Sequence, residues 1–350
     1  MTRRVPAAGP RACALAVYTD ETDRPLGARE SGLEGVACVD DAARGVVLLC
    51  DLWRETGDRR FHEWASRLLD FVLYLRRADG RFHNFIHDWQ GAINADGPTS
   101  FAGSTFWQAR ALRALAKAHV VLQDPRAAEP LARGFAFATD HPAPADVRAI
   151  EVLAALDLMR HGLTPVLRKT LERWCDEIAE CRHGDVLLNA PNEPMPPHIW
   201  GHTQEGVLAE AAQLLDRPDL LEVAQRSARA LIVPEVKRAF PARTVQPYAV
   251  AAAIYDLDRL HLATHDRTYA RLRHQARAWF DGRNSAGRPV YDRAAGRVLD
   301  GIDSGAVNPH SGAESNVVAA QALFYEIAPR ATELLDEAGL VWARGEAEAS

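Results

Sequence analysis

The chain of 350 residues has no run approaching the ~18 consecutive apolar residues of a membrane span. It also has no basic run, and its formal net charge of -6 argues against a nucleic-acid footprint. A phosphate-cradling Gly-rich loop, a Gly-x-Ser-x-Gly elbow and a dinucleotide fingerprint are all missing. The five cysteines (Cys13, Cys38, Cys50, Cys175 and Cys181) follow no zinc-ligand spacing. Their odd number, and an Ala12 to Val17 stretch too short for an export signal, predict reduced thiols in a cytoplasmic protein. His83 and His87 stand four apart, but no third ligand follows at metalloprotease spacing. Neither a metal nor a cofactor is expected. Nothing in the composition sets the oligomeric state.

What is present is ordinary globular material, 47% hydrophobic and 25% charged, with enough apolar side chains for a sizeable core. Six times a polar cluster opens an Ala/Leu/Val-rich helix, a tight turn follows, and a second amphipathic helix runs back. The openings are Asp40–Asp41, Ser104–Thr105, Asp146, His202 to Glu205, Gln246 to Tyr248, and Glu314–Ser315. The first helix, from Asp41 to Trp53, is apolar on more than one face, whereas Phe61 to Arg77 is apolar on one face only. Each such unit cannot bury its apolar face alone, so the repeats must stack. The predicted fold is all-α, an (α/α)6 toroid with one or two short β-hairpins in the loops between helical hairpins. The toroid covers 36–345, and the segment 1–35 either closes the ring or hangs outside it.

Loops within a hairpin are short. Those between hairpins, notably 79–103, 182–201 and 281–312, are long and rich in Gly, Pro, Asn, His and Trp. Long loops of this kind are usually functional. All of them enter inner helices, so the site is expected at the inner-helix N-termini, whose free N–H groups favour anionic partners.

Asp40 and Asp41 are the sharpest local signal. One can cap the helix, which leaves the other as a base or a hydroxyl-binding group. Glu314, in Asn308-Pro-His-Ser-Gly-Ala-Glu-Ser-Asn316, belongs to the sixth repeat and falls beside Asp40 when the ring closes. Glu205 lies across the ring, with Trp200, His202 and Gln204 arriving alongside it and Thr203 available as a cap. Paired carboxylates several ångströms apart are what glycoside hydrolysis needs. Asp88 and Trp89, at the tip of a predicted short strand or hairpin over 79–89, suit a sugar. So do Trp107, Trp200 and Tyr248, whose aromatic faces can pack on sugar C–H surfaces. Because a histidine side chain ordinarily titrates near neutrality, His198, His202 and His310 are candidate acid/base groups.

The Val-Asp-Asp-Ala-Ala-Arg opening at 39–44, Asp-Gly-Arg-Phe-His-Asn-Phe at 79–85 and Asn-Pro-His-Ser-Gly-Ala-Glu-Ser at 308–315 resemble the six-hairpin glycosidase superfamily. The resemblance implies a carbohydrate site at the inner-helix N-termini. It implies site roles for Asp40, Asp41, the 79–85 segment and Glu314, with Arg44 among the substrate-binding groups. The second repeat departs from the pattern: Gly103-Ser-Thr-Phe-Trp107 stands where relatives carry an acidic residue and a His. The expectation is a glycoside hydrolase acting on a short oligosaccharide, with Asp40 or Asp41 as base and Glu314 or Glu205 as acid. The rivals are a sugar epimerase or lyase using His202, His310 and Tyr248, and a non-catalytic toroid that binds a glycan or a protein.

Overall fold

The computed structural model describes residues 2–20, 22, 24–27, 32, 34–162 and 164–337. The end of the last helix, which the sequence pattern places over Arg330 to Leu340, and the expected domain end at 345 lie outside the described residues. In chain order the helices are α1 (Val39–Thr56), α2 (Arg59–Tyr74), α3 (Phe106–Lys117), α4 (Ala128–Asp140), α5 (Ala145–Met159) and α6 (Pro165–Glu180). Then come α7 (Gln204–Leu215), α8 (Pro218–Ala230), α9 (Ile232–Lys237), α10 (Pro247–Thr264), α11 (Arg267–Arg277), α12 (Ala313–Ala322), α13 (Phe324–Ile327) and α14 (Ala331–Glu337).

Helices α1, α3, α5, α7, α10 and α12 form the inner wall. Each packs on the next, and α12 returns to α1, so the ring closes. Burial follows the pattern read from the sequence. Inner helix α5 is covered on nearly every side, whereas α2 buries only the stripe of Phe61, Ala65, Leu68, Leu69, Phe71 and Val72. Short polar caps start the outer helices: Asp58 accepts from the Arg60 N–H, and Thr164 from Leu167 ahead of Pro165.

Four details differ from the sequence reading. Helix α1 begins at Val39, so both aspartates lie in its first turn, and Cys38 occupies the cap position. Thr203 does not cap α7: its Oγ1 is buried without a partner, and the Gln204 side chain takes the Thr203 N–H instead. The last inner helix, expected to run from Glu314 to Ile327, stops at Ala322, because buried Leu323 leaves helical geometry before α13 begins. Strand content exceeds the expected one or two hairpins. Six small antiparallel sheets of two or three strands decorate the loops among the described residues.

One of these sheets lies on the seam of the ring. Tyr18 and Thr19 pair antiparallel with Gly312 and Ser311. Val17 donates its N–H to Val36 O at 3.1 Å and accepts from the Ala313 N–H at 3.2 Å. The strap 17–19 is thus spliced between the chain entering α1 and the chain entering α12. A Cβ on Gly312 would fall 2.4 Å from Val17 O, so only glycine allows this approach.

Candidate active site

The start of α1 is held by the 79–85 segment. Asn84 accepts the Asp40 N–H through Oδ1 at 3.1 Å and the Val39 N–H through its carbonyl at 2.8 Å. Cys38 Sγ accepts from Asp41 N. With the backbone satisfied by others, both carboxylates are free for side-chain chemistry.

Three carboxylates and two guanidiniums meet there. Arg110, one turn into α3, binds Asp40 through Nη1. Arg44 lies 3.3 Å from Asp40, 2.9 Å from Asp41, and binds Glu314 through Nη2. Asp40 and Glu314, expected as neighbours across the closing ring, are therefore joined by one guanidinium.

Burial differs sharply among the three acids. The Asp41 side chain is 3% exposed, Asp40 19% and Glu314 36%, so Glu314 and Asp40 face the opening and Asp41 lies behind them. Burial disfavours the Asp40 charge, but Arg110 and Arg44 outweigh it and hold that carboxyl below its ordinary range. Burial dominates at Asp41, where repulsion from Glu314 and Asp40 adds to it and Arg44 only partly opposes it, and the carboxyl is pushed up to about 7. Adjacent residues thus hold different protonation states near neutral pH.

The rim is aromatic. Trp200 is 42% exposed. His198 stacks on it with centroids 3.9 Å apart and planes 9° from parallel. Tyr248 meets Trp200 edge-on, and Phe106 lies on it at 5.9 Å. Arg110 lies over the Phe106 ring, which links the aromatic row to Asp40. His198 Nε2 stands 3.6 Å from Glu193, and burial lowers the pKa of that imidazole. In place of the acidic residue missing from the second repeat, α3 contributes a cation and an aromatic ring.

Other expected residues fall elsewhere. Glu205 and His202 are fully buried. His202 Nδ1 contacts Asn189 Oδ1 at 2.7 Å, its Nε2 lies 2.9 Å from Glu205, and Ser227 Oγ donates to Glu205 at 2.6 Å. Burial opposes the Glu205 charge, yet His202 and Ser227 hold its carboxyl below the usual range. Neither residue reaches the opening, because this face of α7 turns into the packing with α8 and α10. The acid role expected of Glu205, and the proton-transfer role of His202, therefore do not fit the geometry.

Asp88 closes its own turn by accepting from the N–H groups of Gln90, Gly91 and Ala92. Trp89 packs beneath Arg3 on the N-terminal strands, and Trp107 donates to Phe101 O at 3.1 Å. These three serve loop packing and not the carboxylate cluster. His310 is exposed, on the loop beside Asp300. The predicted strand over 79–89 is reduced to Phe85–Ile86, because Asn84 and Ser100 take up the neighbouring backbone groups.

Two residues absent from the sequence reading belong to the site. Arg110 carried a signal only in hindsight, one turn past the Thr105 cap. Tyr18 carried none, since it lies outside every hairpin. Among the described residues no three His, Cys, Asp or Glu side chains form a group that could hold a metal ion, and no helix is long and apolar enough to cross a membrane.

No family model matches the chain, and no curated protein does. Solved structures do match. A sugar epimerase from a ruminal bacterium superposes with a TM-score of 0.68 at 11% identity, covering 90% of this chain and 92% of its own. A D-mannose isomerase gives 0.66 at 11% identity, with 93% of each chain covered. A glycosyl hydrolase of family 88 from Bacteroides vulgatus gives 0.57 at 11% identity, covering 81% of this chain and 91% of its own. The protein shares the fold of these structures, an (α/α)6 toroid in which six inner helices close into a ring.

Proposed function

We propose that the protein is a carbohydrate-active enzyme, a glycoside hydrolase that cleaves a short oligosaccharide at the Asp40–Glu314 pair. The observation that carries this reading is the single guanidinium of Arg44 joining Asp40 and Glu314, the two more exposed carboxylates of the cluster, since glycoside hydrolysis needs paired carboxylates. Glu314, the most exposed of the three acids, is the carboxylate placed to take up a proton from solvent and pass it to the departing glycosidic oxygen. Asp40, kept ionised by two arginines, takes a proton from the water that attacks the anomeric carbon. One water is split, and one C–O bond breaks as another forms. Trp200 offers its face to the sugar C–H surface. Sealed Asp41 acts on the pair through Arg44.

A chromatographic screen against oligosaccharides and unsaturated uronides tests this. Product from the wild type, and none from a folded Asp40→Ala/Glu314→Ala variant, is the expected result. Saturable binding with no product over long incubation would instead indicate a glycan-binding toroid.

His198 favours a second reading, sugar epimerisation or isomerisation. A neutral imidazole stacked on an exposed tryptophan, with Tyr248 beside it, is equipped to move a proton at a sugar carbon. Deuterium uptake into recovered sugar, lost in His198→Ala, would select this reading over hydrolysis.

A further inference from the structure

The strap 17–19 supplies more than a seam. Tyr18 stands opposite Gly312 in the strap's antiparallel pair, two residues before Glu314, and its Cδ1 lies 3.6 Å from where a Gly312 Cβ would sit. The ring is thus laid along the chain that delivers the exposed carboxylate. Tyr248 stands in the first turn of α10, which packs against α12, the helix whose first turn carries Glu314, and its ring meets Trp200 edge-on. Both tyrosines are half-buried. Their hydroxyl oxygens are not among the sealed polar atoms, and neither donates to a protein acceptor among the described residues. Two phenolic O–H groups, from segments far apart in sequence, are left to bond with whatever enters the opening.

We propose that Tyr18 and Tyr248 form a hydroxyl-binding pair flanking Glu314, so that a residue outside the six helical hairpins contacts the neutral oxygens of the bound sugar. This rests on the sugar-site reading above and adds to it a specific subsite. Burial raises the pKa of both phenols, with Glu314 adding to the effect, and Tyr248 reaches about 12. Both therefore remain donors throughout the physiological range. A neutral donor beside a carboxylate selects hydroxyls and ring oxygens over anionic groups, which Glu314 would repel.

The experiment compares wild type, Tyr18→Phe and Tyr248→Phe by calorimetric titration with a panel of neutral mono- and disaccharides. Each phenylalanine keeps the ring and deletes one donor. The expected result is a Kd about 10-fold weaker for each variant, with the melting temperature unchanged. Undiminished affinity in Tyr18→Phe would overturn the proposal. A second readout needs no sugar. In spectrophotometric titration at high pH, loss of the neighbouring phenolate should let Tyr248 ionise earlier in Tyr18→Phe. If that shift appears while no sugar binds the wild type, the pairing stands and the sugar reading falls. If Tyr248 ionises at the same pH in both proteins, the two phenols are not a pair.

Discussion

The inner helices carry two networks of acids and guanidiniums, one at each end, and their stoichiometry differs. Toward the other end, Lys117 binds Asp51 and Asp157, Arg113 and Arg160 bind Asp157, and Arg160 continues to Glu210. Arg259 joins Glu210 to Asp258, and Arg273 completes the chain. Five cations serve four acids, and the belt stitches α1, α3, α5, α7, α10 and α11 together. At the open end, Arg44 and Arg110 must serve Asp40, Asp41 and Glu314. Where cations are in excess, the network works as a clamp. Where acids are in excess, one of them takes up a proton near neutral pH, as Asp41 does.

The contrast can be broken most severely at Arg44. Arg44→Met leaves three carboxylates with one cation, and breaking a buried pair of this kind costs ~3–5 kcal/mol. Chemical denaturation should show that loss, and turnover should vanish with it. Glu314→Gln separates chemistry from stability: kcat should fall about 10²–10⁴-fold, while the denaturation midpoint moves little. A parallel loss of stability would make Glu314 a structural partner of the helix dipole and nothing more. Lys117→Met probes the clamp. Asp157 keeps Arg113 and Arg160, so the cost should be only about 2 kcal/mol, with the pH profile of activity unchanged. Equal losses from Arg44→Met and Lys117→Met would erase the distinction between the two ends.

The remaining effect is one of pH. Asp41 has a folded pKa of about 7, above its unfolded value of 3.8, so between those limits the folded state holds a proton that the unfolded state has released. Stability therefore falls as pH rises from about 4 to 7, with a slope of up to ~1.4 kcal/mol per pH unit, and levels off above. Asp41→Asn should flatten that segment. Asp40, held below its ordinary range, acts in the opposite sense: its contribution is present above pH 4 and lost on acidification below it. A slope that survives Asp41→Asn would mean that another group carries the proton.

The ring itself was legible in the sequence, because each of six polar clusters precedes an apolar run of helical period. Repeat closure also foretold that Glu314 and Asp40 would meet. What stayed hidden is rotation about each helix axis. Glu205 and Asp40 both fall in the first turn of an inner helix, yet one side chain enters a sealed core and the other faces the opening. At ~100° per residue, a shift of one or two positions decides between those fates. Polar clustering carries no information on that angle. Arg110 was missed for the same reason, since nothing in Phe106-Trp-Gln-Ala-Arg110 says which face looks inward. His198 was visible, but only its stack on Trp200 places it at the rim.

The splice at the ring seam sets an order of events for folding. Thr19 bonds to Ser311 across 292 residues, and Arg44 to Glu314 across 270. During synthesis the strap leaves the ribosome long before its partner strand does. Until the sixth hairpin arrives, Tyr18 has no strand to pair with, and Asp40 and Asp41 have only part of their charge environment. Contacts of such long separation also form slowly. The five earlier hairpins can dock as they emerge. The site comes into being only when the sixth hairpin meets the strap and the first, so a chain stopped before Glu314 lacks the Arg44–Glu314 half of its acid cluster.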